Sequence, residues 1–500
     1  MIAMAPRTQV EHDNRRRWLA LIVVCLAMLM NALDGTVVNV ALPKIQHDLH
    51  FTQAGLAWVI DAYLVAFAGF LLLSGRLGDV IGRKKVFLGG LATFTAASAV
   101  CGVADSQAVL IAARFVQGMA GAFSTSVILA IVATEFTDAR ERARAMSAYI
   151  FVAVGGGSIG LLAGGVLTQT LNWHWIFFIN LPIGAVTLIL GALLVRENKG
   201  LGVREGVDVL GSLLVTGGLM LGVYAVVKSS DYGWGSLHTL GVGAAAVALI
   251  AAFCVLESRL EKPIMPLRIL HVRGLISSSV VRGFLFVGMY ATFFIGTLYL
   301  EHVLGYGALK TGLAFLPMTL VIAFFSSGPT ARLITHFGPW RVFMPAMLMV
   351  VAGLALFAQA GVHARYFPDL FIAFILTGTG MGTSSVPLLT IAMAEVPSAD
   401  AGLASGIVNV SMQVSGAIGI AVLGTISASH TKALTAAGRS AADALTSGYH
   451  LAFIVAAVCV GAGLLAGAAL LRPSRRRARV AANAPGRLEP SGETVGGGQA

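Results

Sequence analysis

Residues 76–87 read Arg-Leu-Gly-Asp-Val-Ile-Gly-Arg-Lys-Lys-Val-Phe, and residues 332–343 read Arg-Leu-Ile-Thr-His-Phe-Gly-Pro-Trp-Arg-Val-Phe. The two stretches match at Arg, Leu, Gly, Val and Phe, and Lys85 stands opposite Arg341. Each is a short basic passage between apolar runs of about 20 residues, the length that crosses about 30 Å of hydrocarbon at 1.5 Å per residue. A basic loop that recurs between such runs predicts a chain built as two related helical bundles.

Composition supports the membrane reading. The 500 residues are 57% hydrophobic and 11% charged, against about 25% charged in a soluble domain, and the mean hydropathy is +0.84. Apolar spans are read near 18–41, 54–74, 84–104, 107–133, 143–168, 173–195, 206–228, 237–257, 275–299, 310–330, 340–360, 368–392, 402–428 and 448–471. The expected architecture is an all-α polytopic membrane protein with about 14 transmembrane helices, two six-helix bundles and an inserted helix pair. Residues 1–17 are expected as a cytoplasmic tail, 18–200 as the first bundle, 201–260 as the inserted pair, 261–471 as the second bundle and 472–500 as a disordered tail.

Lys and Arg number about 27 over the termini and the loops on their side, about six on the other side, and one, Arg114, within a span. Both termini are therefore expected in the cytoplasm, with the protein in the cell membrane. The net charge of +11 is spread over loops, so no nucleic-acid partner is expected. The four cysteines lack metal-ligand spacing. No zinc motif, phosphate-binding loop or nucleophile elbow occurs, so neither enzyme chemistry nor a cofactor is expected. Without an ATPase module, transport would draw on an ion gradient, in which one charge moving through 100 mV is worth about 2.3 kcal/mol.

Charges inside spans carry the functional reading. Asp34 lies in "LDGTVVNVALP" (33–43), Asp61 in "VIDAY" (59–63), and Arg114 in span four. Counting from the span ends places all three roughly 10 Å deep, in one layer. One guanidinium cannot pair with both carboxylates, so Arg114 is expected to hold one acid ionised and leave the other to exchange a proton. Asp34 with Arg114 is assigned proton coupling. Asp61, near Trp58 and Tyr63, is assigned the positive charge of a substrate, with aromatic help; the exchanged assignment is the alternative. Gln117 and Asn39 are further candidate substrate contacts. The structural alternative is a merely stabilising Asp34–Arg114 pair and an Asp61 that snorkels to the interface. In the second bundle Thr335 stands where the repeat has Asp79, spans twelve and thirteen carry no acid or base, and Asn409 and Gln413 are expected as polar rests.

These motifs resemble the major facilitator superfamily and, within it, the fourteen-span drug:proton antiporters, similar to QacA-like and EmrB-type multidrug transporters. The resemblance covers roughly residues 18 to 470. "LDGTVVNVALP" resembles the span-one signature of that branch. The loop Gly75 to Lys85 is similar to the superfamily's cytoplasmic motif, and the resemblance implies that Gly75, Asp79, Gly82 and Arg83 latch the outward-open state, with Arg142 or Arg144 as partner to Asp79. Arg114-Phe-Val-Gln117-Gly118 resembles the motif that puts an arginine inside the bundle. Gly156, Gly160, Gly164 and Gly165 resemble the antiporter motif, with Leu161 where a proline is usual, and His174 stands where arginine is expected.

The resemblance implies two bundles rocking about a midplane site and proton-driven export of lipophilic, cationic compounds. Its partners would be lipophilic small molecules, protons and membrane lipids. Export of a lipid or an endogenous hydrophobic metabolite or antibiotic is the alternative within the same fold; a non-transporting membrane sensor is the alternative outside it.

Overall fold

In the computed structural model the described residues are 7–136, 138–197, 208–260, 267–394, 396 and 401–471. The first half comprises α1 (Arg7–Asp48), α2 (Gln53–Leu56), α3 (Trp58–Ile81), α4 (Arg83–Gly102), α5 (Gln107–Glu135), α6 (Ala139–Thr170), α7 (Trp175–Phe178) and α8 (Asn180–Leu194). Then come α9 (Val209–Tyr232) and α10 (Leu237–Arg259). The second half comprises α11 (Arg273–His302), α12 (Ala308–Ser327), α13 (Pro329–Phe337), α14 (Pro339–Phe357), α15 (Phe371–Met393), α16 (Ala401–Ala436) and α17 (Ala441–Leu470). Eleven helices among the described residues are long and apolar enough to cross a membrane, and Trp58–Leu71 and Leu210–Val226 are shorter apolar stretches.

At the N-terminus α1 begins at Arg7, so residues 7–17 of the expected cytoplasmic tail are helical. No Gly or Pro interrupts the sequence from there to Asn31, so the helix propagates back from the apolar span into polar sequence. Residues 1–6 and the expected tail at 472–500 lie outside the described residues.

The repeat seen in the sequence has a backbone counterpart. Gly82 ends α3 with φ 106° and Gly338 ends α13 with φ 80°, at the same register of the two matching stretches. Glycine alone enters that region at little cost, so each loop turns sharply between one helix and the next. Both loops lie at what we term the basic end of the bundle. Bases there satisfy the open carbonyls at the C-terminus of α8: Lys84 Nζ donates to the Ala192 carbonyl at 2.6 Å and Arg16 Nε to that of Leu194 at 3.1 Å.

Helices α1, α3, α4, α5, α6 and α8 pack on one another, as do α11, α12, α14, α15, α16 and α17. The two sets meet where α6 lies on α12 and α3 on α16. At the far end this meeting is close. The Leu309 amide donates to Gln169 Oε1 at 3.1 Å, Gly165 lies against Ala308 and Leu309, and Gly312 lies against the Leu161 carbonyl. Leu161 is fully buried there, and α6 runs unbroken through it. The pair α9 and α10 pack together, with α9 also covering the α3–α16 seam. Each is started by a side-chain cap: Asp208 accepts from the Gly211 amide at 2.7 Å and Ser236 from the Thr239 amide at 3.1 Å.

Candidate transport site

Close helix packing positions the buried charges. A Cβ at Gly118 would run into the Tyr63 carbonyl, so this glycine lets α5 lie directly on α3. A Cβ at Gly160 would meet Thr36 and Leu33, one at Gly164 Val37, and one at Gly156 Ala32. Three glycines of the antiporter-like motif therefore seat α6 on α1 around Asp34, and the fourth, Gly165, faces the other half. Small residues allow this approach where helices associate in lipid.

Arg114 is 1% exposed and Asp34 0%. The Arg114 Nη1 donates to Asp34 Oδ2 at 2.5 Å and to Gln117 Oε1 at 2.7 Å, while its Nε donates to the Val59 carbonyl at 2.9 Å. Three helices, α1, α3 and α5, are thus joined by one guanidinium. The other oxygen of Asp34, Oδ1, accepts from Gln117 Nε2 at 2.7 Å and from Asn180 Nδ2 at 3.2 Å. Gln117 and Asn180 also both donate to Ser98 Oγ, at 2.8 and 2.9 Å. Every side-chain donor on Asp34 suits an ionised carboxylate. Tyr63 stacks beside this group, with Arg114 Cζ 4.5 Å from its ring centroid, and Phe177 adds a second ring at 5.9 Å.

Asp61 is as deeply buried as Asp34 but differs in its partners: neither carboxyl oxygen has a hydrogen bond. On the second half the Tyr290 hydroxyl of α11 donates to Gln413 Oε1 of α16 at 3.1 Å, and α16 packs on α3, the helix that carries Asp61.

The expected residues divide accordingly. Asp34, Arg114, Gln117 and Tyr63 come together, so Tyr63 and Gln117 serve the ion pair rather than Asp61. Trp58 turns outward to α9, its ring 6.4 Å from that of Tyr224. Asn39 donates back to the carbonyls of Gly35 and Thr36 in its own helix. Asp61 does not snorkel. In the basic loop, Arg83 Nη1 donates to the Ala130 carbonyl at 3.4 Å and Gly75 has open space around it; the side chains of Asp79 and Arg142 lie outside those described. Glu141, beside the expected partners, pairs with Arg17 at 3.3 Å. Sequence reasoning missed Ser98, Asn180 and Tyr290. It also missed Arg282, which corrects the expectation of a single base within the spans, since it sits inside α11.

The sequence profile of the Major Facilitator Superfamily matches residues 24–420. The chain is 37% identical over 460 residues to the puromycin resistance protein pur8 of Streptomyces alboniger, covering 91% of each chain. It is 34% identical to the cephamycin export protein CmcT of Amycolatopsis lactamdurans, over 82% of this chain and 85% of that one. Among solved structures, the POT family transporter PepTSo superposes with a TM-score of 0.66 at 14% identity, covering 91% of this chain and 98% of the other, a likeness of fold alone. This chain belongs to the Major Facilitator Superfamily and is a membrane transporter of that type.

Proposed function

We propose that the protein is a fourteen-span, proton-coupled antiporter of the cell membrane that exports lipophilic, positively charged, antibiotic-like compounds. The observation that carries the reading is Asp61: a fully buried carboxyl with no partner on either oxygen. An ionised group left so costs several kcal/mol, so the site holds either a proton or the positive charge of a ligand. Exclusive occupancy by one or the other is what exchange requires. Asp34, held by Arg114, Gln117 and Asn180, lies beside that site.

The positive-inside rule sets the basic end and both termini in the cytoplasm. The sealed α6–α12 seam then closes the outer face, and rocking of the two halves about the Asp61 layer opens it. The basic loop at residues 75–85 is the expected latch of the opposite state. Antibiotic export is supported by the names of the relatives, one a resistance protein and one an export protein. The second of these favours one further reading, export of a compound the cell itself makes.

The test uses inside-out vesicles with an acid interior, to which cationic, neutral and anionic amphiphiles are added while proton efflux is followed. Cations are expected to trigger efflux, Asp61→Asn to abolish it, and Asp61→Glu to retain part. Normal export by Asp61→Asn removes Asp61 from substrate binding. Efflux with neutral or anionic compounds that survives Asp61→Asn replaces the cation reading with that of a metabolite exporter.

A further inference from the structure

Helix α11 carries Arg282, Phe286 and Tyr290 at four-residue steps, which puts them on one face. Arg282 Cζ sits 5.5 Å from the Phe286 ring centroid, and the Phe286 and Tyr290 centroids are 6.5 Å apart. Arg282 lies nine residues into the helix, about 14 Å from its basic end at 1.5 Å per residue. Its Nε donates to Met412 Sδ at 3.0 Å and its Nη1 to the Ser385 carbonyl at 3.1 Å. Both acceptors are uncharged, and among the described residues no carboxylate lies within ion-pair distance of it.

A cation at this depth ordinarily has an acid beside it, and Arg114 shows that arrangement in the other half. Arg282 retains partial exposure, and a guanidinium offers five donors in a planar fork. The other end of the column is Tyr290, whose hydroxyl donates to Gln413 of α16, the helix against which α3 with Asp61 packs. The molecule thus presents an unpartnered carboxyl on its first half and a guanidinium without an acid on its second. Two rings, Phe286 and Tyr290, follow Arg282 along α11, and the helix separates Arg282 from Tyr290 by about 12 Å.

We propose that the column is a second arm of the transport site, in which Arg282 takes the carboxylate of an amphoteric lipophilic compound whose positive group lies at Asp61 and whose apolar body rests on Phe286 and Tyr290. The cationic arm rests on the function proposed above; the anionic arm is independent of it. A ligand holding both arms bridges the two halves, whereas a simple cation engages the first half alone.

The experiment places the purified full chain in nanodiscs and measures binding of rhodamine B, which carries a delocalised cation and a free carboxylate, and of its ethyl ester, in which only the carboxylate is capped. Arg282→Gln is expected to weaken rhodamine B by about tenfold, the scale of one lost hydrogen bond to a charged group, and the ester by less than about twofold. Arg282→Lys keeps the charge and is expected to fall between. Equal weakening of both dyes would make Arg282 a clamp between α15 and α16 and overturn the proposal, as would no weakening of either. If Asp61→Asn still weakens both dyes in those cases, the function proposed above stands without the anionic arm. Selective loss in Arg282→Gln with no effect of Asp61→Asn leaves the anionic arm standing and removes the cationic one.

Discussion

Replacing Arg114 with alanine is expected to end proton-driven export and to lower the stability of the folded protein by about 3 to 5 kcal/mol, the cost of removing one partner from a buried ion pair. The loss is large because one side chain serves Asp34, Gln117 and the Val59 carbonyl on three elements of the bundle. Without it Asp34 keeps only the amides of Gln117 and Asn180, and a buried charge is left uncompensated. Arg114→Lys is not expected to rescue the site, since a single ammonium nitrogen does not span acceptors that Arg114 serves from Nε and Nη1. Stability and coupling separate in the double variant Asp34→Asn with Arg114→Gln, where no charge remains to be stranded. Thermal unfolding is expected to recover in the double variant while vesicle efflux stays absent. Wild-type efflux from it would reduce the pair to a structural tie.

Much of this arrangement is legible in the sequence. Asp34, Asp61 and Arg114 announced themselves because hydrocarbon tolerates few charges, and counting residues from span ends is enough to compare their depths. Gly82 and Gly338 announced the two-fold plan because a sharp turn needs a residue free to take positive φ. Partner choice was not legible. Asp34 and Asp61 are equivalent by depth, and only the positions of α5 and α8 reveal that one has three hydrogen-bond partners and the other none. Ser98 and Asn180 are neutral polar residues, which carry no signal until a charge is found beside them. Trp58 lies one turn from Asp61 in sequence, yet its face is set by α9, a helix whose place in the bundle no spacing within α3 could disclose. Arg282 was overlooked for a related reason: a base near the start of a span has the pattern of a snorkelling end residue. Its inward direction is fixed by Met412 and Ser385 of other helices.

An alanine at Gly312 is expected to cut export by roughly the same factor by which it shifts the balance between closed and open outer seams, without unfolding either half. Its Cβ would lie 2.6 Å from the Leu161 carbonyl oxygen, a backbone atom that no rotamer change can move aside. Gly165 meets the same difficulty from the opposite helix, its Cβ falling 2.8 Å from Leu309 Cα and 2.9 Å from the Ala308 oxygen. Overpacking of this kind costs about 1 to 3 kcal/mol, and here the cost falls only on the state in which α6 and α12 touch. A differential of that size moves a two-state equilibrium about 5- to 150-fold. Gly160→Ala is the control, since its Cβ would strike Thr36 and Leu33 of α1 within one half and should weaken that half without opening the seam. In a cysteine-free background, spin labels at Leu171, 55% exposed, and at exposed His363 report the separation of the halves at the outer face. The distance is expected to widen in Gly312→Ala and in Gly165→Ala and to stay constant in Gly160→Ala. An unchanged distance together with normal export in the first two would mean that the halves do not part along α6 and α12, and the rocking axis would have to be sought at the α3–α16 seam that α9 covers.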